Sequence, residues 1–342
     1  MKLLDKINDK VYVIAEMSGN HAGSKDRAME ILHAAKESGA DCIKIQTYTP
    51  DTMTINCSNE YFNIDGGTWD GENLYHLYEK AYTPWEWQAD IKAEAEKIGL
   101  DFLSTAFDKT SVDFLESIGL EFYKIASFEL TDIPLLKYVA SKNKPIILST
   151  GMGTKEEIDA AVDAIKQTGN NELVLLKCSS DYPAVTGDMN LRTMVDMGKQ
   201  YGVPVGLSDH SMGNVGVVAA VAMGARVVEK HFCVSRKVEN PDSSFSMEPH
   251  EFKKMVEDIR TVELAMGSVK YGPSDRELAN LKFRRSIFCS KDIKAGEIIT
   301  EANVKVIRPS YGLAPICMED ILGKKAKQGI KFGTPMAWEM VE

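Results

Sequence analysis

Short apolar runs alternate along most of the chain with longer segments whose apolar positions recur every three or four residues. The short runs predict β-strands at 11–16 (VYVIAE), 42–46 (CIKIQ), 101–105 (DFLST), 122–126 (FYKIA), 145–149 (PIILS), 172–178 (ELVLLKC), 204–208 (PVGLS) and 226–231 (RVVEKH). The segments between them predict helices near 25–38, 84–98, 109–118, 132–142, 155–168, 190–201, 213–223 and 250–266. Thr83-Pro84-Trp85-Glu86 reads as a capping box with proline at the first helical position, and Thr154 to Glu157 as a second box. Gly39, Gly99, Gly119, Gly169 and Gly267 stand where C-terminal caps belong.

Continuous apolar strands imply a sheet covered on both faces, hence a parallel one. Eight β/α units in about 260 residues match the usual size of a (β/α)₈ barrel. A doubly wound open sheet is the alternative, but the first βα turn lacks a GxGxxG. The expected fold class is therefore α/β, a TIM barrel over residues 1–271. A polar connector is expected at 272–286, and 287–342 reads as a small, mostly β second domain. One connection is abnormally long. Residues 47–83 hold Tyr48, Tyr61, Phe62, Trp69, Tyr75, Tyr78 and Tyr82, too aromatic for disorder. They predict either a folded lid over the barrel mouth or a subunit contact.

The strand ends turn polar. "VGLSDHS" closes on Ser208, Asp209 and His210, and "VVEKHF" on Lys230 and His231. Barrel chemistry collects at the C-terminal ends of strands, so these residues predict one pocket. His210 and His231, on neighbouring strands, suit one open divalent metal site, Mn or Mg, unless they are merely hydrogen-bonded to one another. Lys44 and Lys124 interrupt apolar strands, which is costly unless an anion or carboxylate pairs with them. With the hydroxyls of Ser127, Ser149 and Ser208 they describe a phosphate and carboxylate cradle. Glu16 and Glu129 can pair with these lysines, activate water or bind sugar hydroxyls. Asp209 reads as orienting a neighbour, and "STGMG" (149–153) as a turn or as a loop offering backbone N–H groups to phosphate.

Composition narrows the class. A formal charge of -10 without a basic stripe argues against nucleic acid. Six scattered cysteines with no CxxC pair fit a reducing cytoplasm. The start, MKLLDKINDKVYVIAE, carries Asp5 and Asp9 and does not resemble a signal peptide; no apolar run approaches the ~20 residues of a membrane span.

"AEMSGNHAGS", "KIQTY", "FYKIASFEL", "ILSTGM", "VGLSDHS", "VEKHF" and "NPDSSFS" together resemble the sialic acid synthase family. Its members are TIM barrels followed by an antifreeze-like (SAF) domain, which "KDIKAGEIITEANVKVIRPSYG" resembles. The resemblance covers nearly the whole chain. It implies condensation of phosphoenolpyruvate with an acetamido sugar aldehyde and release of phosphate. It further implies that His210 and His231 hold the metal that polarises the aldehyde, and that Glu16 handles water and protons. Lys44, Thr105, Lys124, Ser127, Ser149 and Ser208 would hold phosphoenolpyruvate; Gln46, Phe107, Glu129, Tyr182 and Asp242 would face the sugar. On the resemblance alone, Arg308 would reach the phosphoenolpyruvate carboxylate across a domain-swapped homodimer.

Within the family, "LYHLYEKAYTPWEWQ" (74–88) is most similar to the branch that makes pseudaminic acid for flagellin and surface-glycan glycosylation. Its sugar would be 2,4-diacetamido-2,4,6-trideoxy-L-altropyranose. N-acetylneuraminate synthases carry Asn-x-Tyr-Pro after strand six; this chain has Ser180-Asp181-Tyr182-Pro183, which fits a different, deoxygenated sugar. N-acetylneuraminate or legionaminate synthesis, a metal-dependent pyruvate aldolase and a glycan-binding protein are the competing readings.

Overall fold

The computed structural model describes residues 3–342 and divides into two compact units, Met1–Gly267 and Ser268–Glu342. Eight parallel strands close the first unit into a barrel. They are β1 (Tyr12–Glu16), β2 (Cys42–Thr47), β3 (Asp101–Ala106), β4 (Tyr123–Ile125), β5 (Ile146–Ser149), β6 (Leu173–Cys178), β7 (Val205–Asp209) and β8 (Val227–His231). Each pairs with the next, and β8 returns to β1 with Glu16 opposite His231. The barrel predicted from apolar periodicity is the one observed.

Alternation along each strand builds two cores. Residues facing outward, such as Val13, Ile43, Ile125, Leu148 and Leu207, pack against the surrounding helices. Inward residues Ile14, Cys42, Leu103, Phe122, Ile147, Leu176 and Val227 fill the barrel's lower half. Leu3 and Ile7, from a helix at Leu3–Asp9 that periodicity missed, complete that inner cluster. Two residues further along each strand the inward positions become Glu16, Lys44, Thr105, Lys124, Ser149, Cys178 and Glu229, with Ser208 beside them on β7; all are buried. The polar set sits on an apolar plug, and only the mouth side is left for a ligand.

Helix starts follow local chemistry. Thr154 caps Lys155–Lys166 with a reciprocal Glu157 box, as expected. The box at Thr83 is absent: the helix Trp85–Lys97 has no side-chain cap. Thr83 is instead buried, its hydroxyl 3.2 Å from His21 Nε2. That pair fastens the end of the long excursion to the β1 side of the mouth.

The excursion between β2 and Trp85 folds into short helices, Pro50–Met53 and Leu74–Ala81, the latter capped by Asn73. It lies over the mouth. Trp69 Nε1 donates to the Pro241 carbonyl at 2.9 Å, and Thr68 Oγ1 donates to the Tyr182 carbonyl.

The second unit holds one antiparallel pair, Ser286–Cys289 with Val304–Ile307, around a core including Ile287, Ile293, Ile299, Ile321 and Ile330. Its β content is less than the sequence suggests; most of its remaining pairing is isolated bridges between turns. No helix among the described residues is long and apolar enough to cross a membrane.

Candidate active site at the barrel mouth

Two buried lysines meet buried carboxylates at the strand ends. Lys44 Nζ lies 3.0 Å from Glu16 Oε2 and 3.5 Å from Glu229 Oε1, and donates to Thr105 Oγ1 at 3.1 Å. Lys124 Nζ reaches the same Glu229 oxygen at 3.2 Å, and Ser208 Oγ donates to it at 3.1 Å. Glu229 is thus the centre of the cradle, a residue not singled out from the sequence. Burial works against its charge, but Lys124 and Lys44 hold its pKa down at about 2. Burial also opposes the charge on Lys44, yet Glu16 and Glu229 keep its pKa above the ordinary lysine value. Lys124 has Glu229 as its sole ion-pair partner among the described residues, and burial lowers its pKa.

The remaining predicted residues of the barrel unit lie around the same mouth. Gln46 Nε2 donates to Glu16 Oε1 and to Ser18 Oγ, both at 3.0 Å. Ser127 Oγ accepts from the Gly151 N–H at 3.0 Å, and Gly153 N–H bonds to the Thr150 carbonyl. Both glycine N–H groups of "STGMG" are therefore satisfied within the protein, so that turn is a support rather than a free phosphate loop. Gly151 must lack a side chain: a Cβ there would stand 2.2 Å from Ser180 Oγ and 2.7 Å from Ser127 Oγ.

Ser149 Oγ, Glu129 Oε2 and Glu229 Oε2 are buried with no hydrogen-bond partner among the described residues. Buried polar groups are rarely left so, and these three point to a polar ligand. Burial pushes the Glu129 carboxyl up to about 7. Asp242 accepts from Gly19 N–H at 2.8 Å, and Phe107 packs edge-on against Tyr48.

The imidazoles of His210 and His231 have ring centres 5.3 Å apart. Because Nδ1 of His210 sits 2.9 Å from the Ser179 carbonyl, which can only accept, Nδ1 carries a proton and Nε2 is the nitrogen left for a ligand. His231 Nδ1 is buried without a partner among the described residues, and burial, then His210, hold this ring neutral. Burial works against a charge on His210, but Cys178 and the Ser179 carbonyl raise its pKa above the ordinary histidine value. Two facing imidazoles, one of them held neutral, fit a divalent cation, which binds His210 in competition with its second proton. No cluster of three or more His, Cys, Asp and Glu able to hold a metal exists among the described residues, so any cation would need ligand or water oxygens to complete its shell.

Beneath the pair, Lys230 Nζ is 2.7 Å from Asp209 Oδ2 and also bonds the Ser211 carbonyl. This buried ion pair links the residues that precede each histidine and pins the β7–β8 register there. Lys230 points away from the pocket. Tyr182 stacks over His210 at 4.3 Å, and Phe245 meets His231 at 5.0 Å. Phe245 and Trp69, which no strand-end pattern marks, complete an aromatic wall. Arg308 lies exposed in the second unit.

Comparison with known proteins agrees with this fold. Residues 31–271 match the NeuB family and residues 284–342 a SAF domain. The chain is 48% identical over 324 residues to a pseudaminic acid synthase of Campylobacter jejuni, covering 95% of this chain and 94% of that protein. It is 43% identical to a pseudaminic acid synthase of Helicobacter pylori, with 96% and 97% covered. Among solved structures, an N-acetylneuraminic acid synthetase from Leptospira borgpetersenii in complex with citrate superposes with a TM-score of 0.72 at 30% identity, over 81% of this chain and 92% of that one. The chain belongs to the NeuB family, with a SAF domain at its C-terminal end.

Proposed function

We infer that the chain carries out the pseudaminic acid synthase reaction. Phosphoenolpyruvate, 2,4-diacetamido-2,4,6-trideoxy-L-altropyranose and water give pseudaminic acid and phosphate. The observation that carries this reading is the mouth itself, where two buried lysines share one carboxylate beside two facing imidazoles. The near-full-length likeness to two pseudaminic acid synthases supports the choice of sugar. So does Ser180 in place of the asparagine of N-acetylneuraminate enzymes.

Lys44 and Lys124, with the hydroxyls of Thr105, Ser127, Ser149 and Ser208, hold phosphoenolpyruvate through charge-assisted hydrogen bonds. Gln46, Phe107, Glu129, Tyr182 and Asp242 face the open-chain sugar. His210 and His231 hold a divalent cation, Mn or Mg, which when bound supplies Lewis acidity to the aldehyde oxygen. C3 of phosphoenolpyruvate attacks the aldehyde carbon, forming the C–C bond while the aldehyde oxygen gains a proton. Positive charge then develops at C2, where the Glu16 carboxylate stabilises it. Glu16 next takes a proton from the water that adds to C2. The bond between C2 and the bridging oxygen breaks last: the C2 hydroxyl becomes the ketone, its proton passes to the departing phosphate, and the phosphate keeps the former enol oxygen.

Arg308 of a second copy is proposed to reach the phosphoenolpyruvate carboxylate in a domain-swapped homodimer. Charge supports this: residues 268–342 carry thirteen Lys and Arg against nine Asp and Glu, whereas the whole chain is at -10. The six free cysteines favour a reducing, cytoplasmic setting. The test incubates the protein with Mn, phosphoenolpyruvate labelled with heavy oxygen at C2, and a panel of acetamido sugars. The reading expects a nonulosonic acid from the diacetamido trideoxy sugar and label in the phosphate. Unlabelled phosphate overturns the C–O cleavage, and product only from N-acetylmannosamine overturns the sugar.

A further inference from the structure

The strand ends account for one side of the sugar site and leave the long excursion without a task. Trp69 is where it meets the imidazoles' surroundings. Its ring lies 5.4 Å from Tyr182 and 6.5 Å, edge-on, from Phe245, the two rings that touch His210 and His231. The steps of 4.3 and 5.4 Å put the indole within about 10 Å of His210. A six-carbon chain with C–C bonds of ~1.5 Å spans about 6 Å when extended. A sugar with its aldehyde at the imidazoles therefore brings its C4–C6 end to Trp69.

On the side of the excursion the wall has spent its donors. The indole N–H is given to the Pro241 carbonyl and the neighbouring Thr68 hydroxyl to the Tyr182 carbonyl. Trp69 is half-buried, so part of its ring stays open to a ligand. A hydroxyl pressed against the indole and Phe245 gives up water and gains no partner, whereas a methyl gains contact with both.

We propose that Trp69, resting on the reaction inferred above, is a specificity-determining residue. With Tyr182 and Phe245 it seats the deoxygenated end of the sugar, the C6 methyl and the C4 acetamido methyl, and discriminates against a C6 hydroxyl. The excursion is thereby the element that tells a 6-deoxy substrate from a hydroxylated one.

The test measures kcat/KM of the full chain for 2,4-diacetamido-2,4,6-trideoxy-L-altropyranose and for its 6-hydroxy counterpart, in wild type, Trp69→Ala and Trp69→Phe. The KM for phosphoenolpyruvate is followed alongside. Wild type should favour the 6-deoxy sugar by about 10- to 200-fold, the range for one apolar group in a pocket. Trp69→Ala should lose about 10-fold or more on that sugar and under about 3-fold on the other, while Trp69→Phe keeps part of the preference. The KM for phosphoenolpyruvate should not move. Equal losses on both sugars, as a purely structural role for the indole produces, overturn the proposal, and so does a wild type without preference. Turnover of both sugars alike sinks only the role of Trp69; turnover of neither sinks the inferred reaction as well.

Discussion

Glu229→Gln keeps the shape of the central carboxylate and removes the charge that Lys44, Lys124 and Ser208 share. Those partners, at 3.5, 3.2 and 3.1 Å, hold its pKa at about 2 against an ordinary 4.5. A folded pKa below the unfolded one contributes stability that is complete above pH 4.5 and is lost as the pH falls through 2. At ~1.4 kcal/mol per pH unit, the interval corresponds to about 3 kcal/mol at pH 7 and about half of that at pH 3. The variant should therefore be less stable by about 3 kcal/mol at pH 7, with the gap to wild type narrowing by pH 3. Urea unfolding followed by tryptophan fluorescence reads this, because Trp69, Trp85 and Trp87 lie in the barrel unit and only Trp338 lies outside it. Carboxylates remote from the site cancel in the difference; Glu16, which the Glu229 charge pushes towards protonation, is relieved in the variant and works against part of the loss. Equal stability at pH 7, or a gap that does not change with pH, would refute the reasoning.

Other outcomes follow from the same geometry. His210→Ala and His231→Ala should each abolish cation-dependent turnover while circular dichroism stays unchanged; full activity in either removes that imidazole as a ligand. Gly151→Ala, whose methyl would crowd Ser127 and Ser180, should raise the KM for phosphoenolpyruvate by about 10-fold, the effect of ~1.4 kcal/mol. A wild-type KM there means the cradle lies elsewhere. Glu129 has a folded pKa of about 7, raised by burial, so its unfavourable effect grows as the pH rises from 4.5 through 7. Glu129→Gln should therefore be more stable than wild type by about 3 kcal/mol at pH 8 and similar to it at pH 4. Steady-state kinetics of Arg308→Ala should show a raised KM for phosphoenolpyruvate; an unchanged value dismisses the cross-subunit contact.

Strand alternation explains both what was legible in the sequence and what was not. Apolar runs bounded by glycine-capped helices predicted all eight strands, because a parallel barrel buries both faces of every strand. The polar strand ends predicted the pocket because inward positions two residues apart change from Ile14 to Glu16 and from Cys42 to Lys44. That same period of two marks Val227, Glu229 and His231 as one face, with Lys230 on the other. Reading Lys230 with His231 as a polar end overlooked this, and Glu229 went unnoticed inside a hydrophobic run. The failed box at Thr83 has a different cause: a tertiary partner, His21, takes the hydroxyl that local sequence assigns to the helix. Trp69 and Phe245 carry no local signal, since only the folded excursion brings them beside the imidazoles. The helix at Leu74–Ala81 did carry one, Asn73 ahead of an apolar stripe, masked by the length of the loop around it.

The most direct measurement is a crystal structure of the protein soaked with phosphoenolpyruvate and Mn. The account predicts the phosphate within hydrogen-bond reach of Lys44 and Lys124 and anomalous Mn density between His210 and His231. Phosphoenolpyruvate bound away from both lysines, or Mn on other residues with the two imidazoles bare, would contradict it.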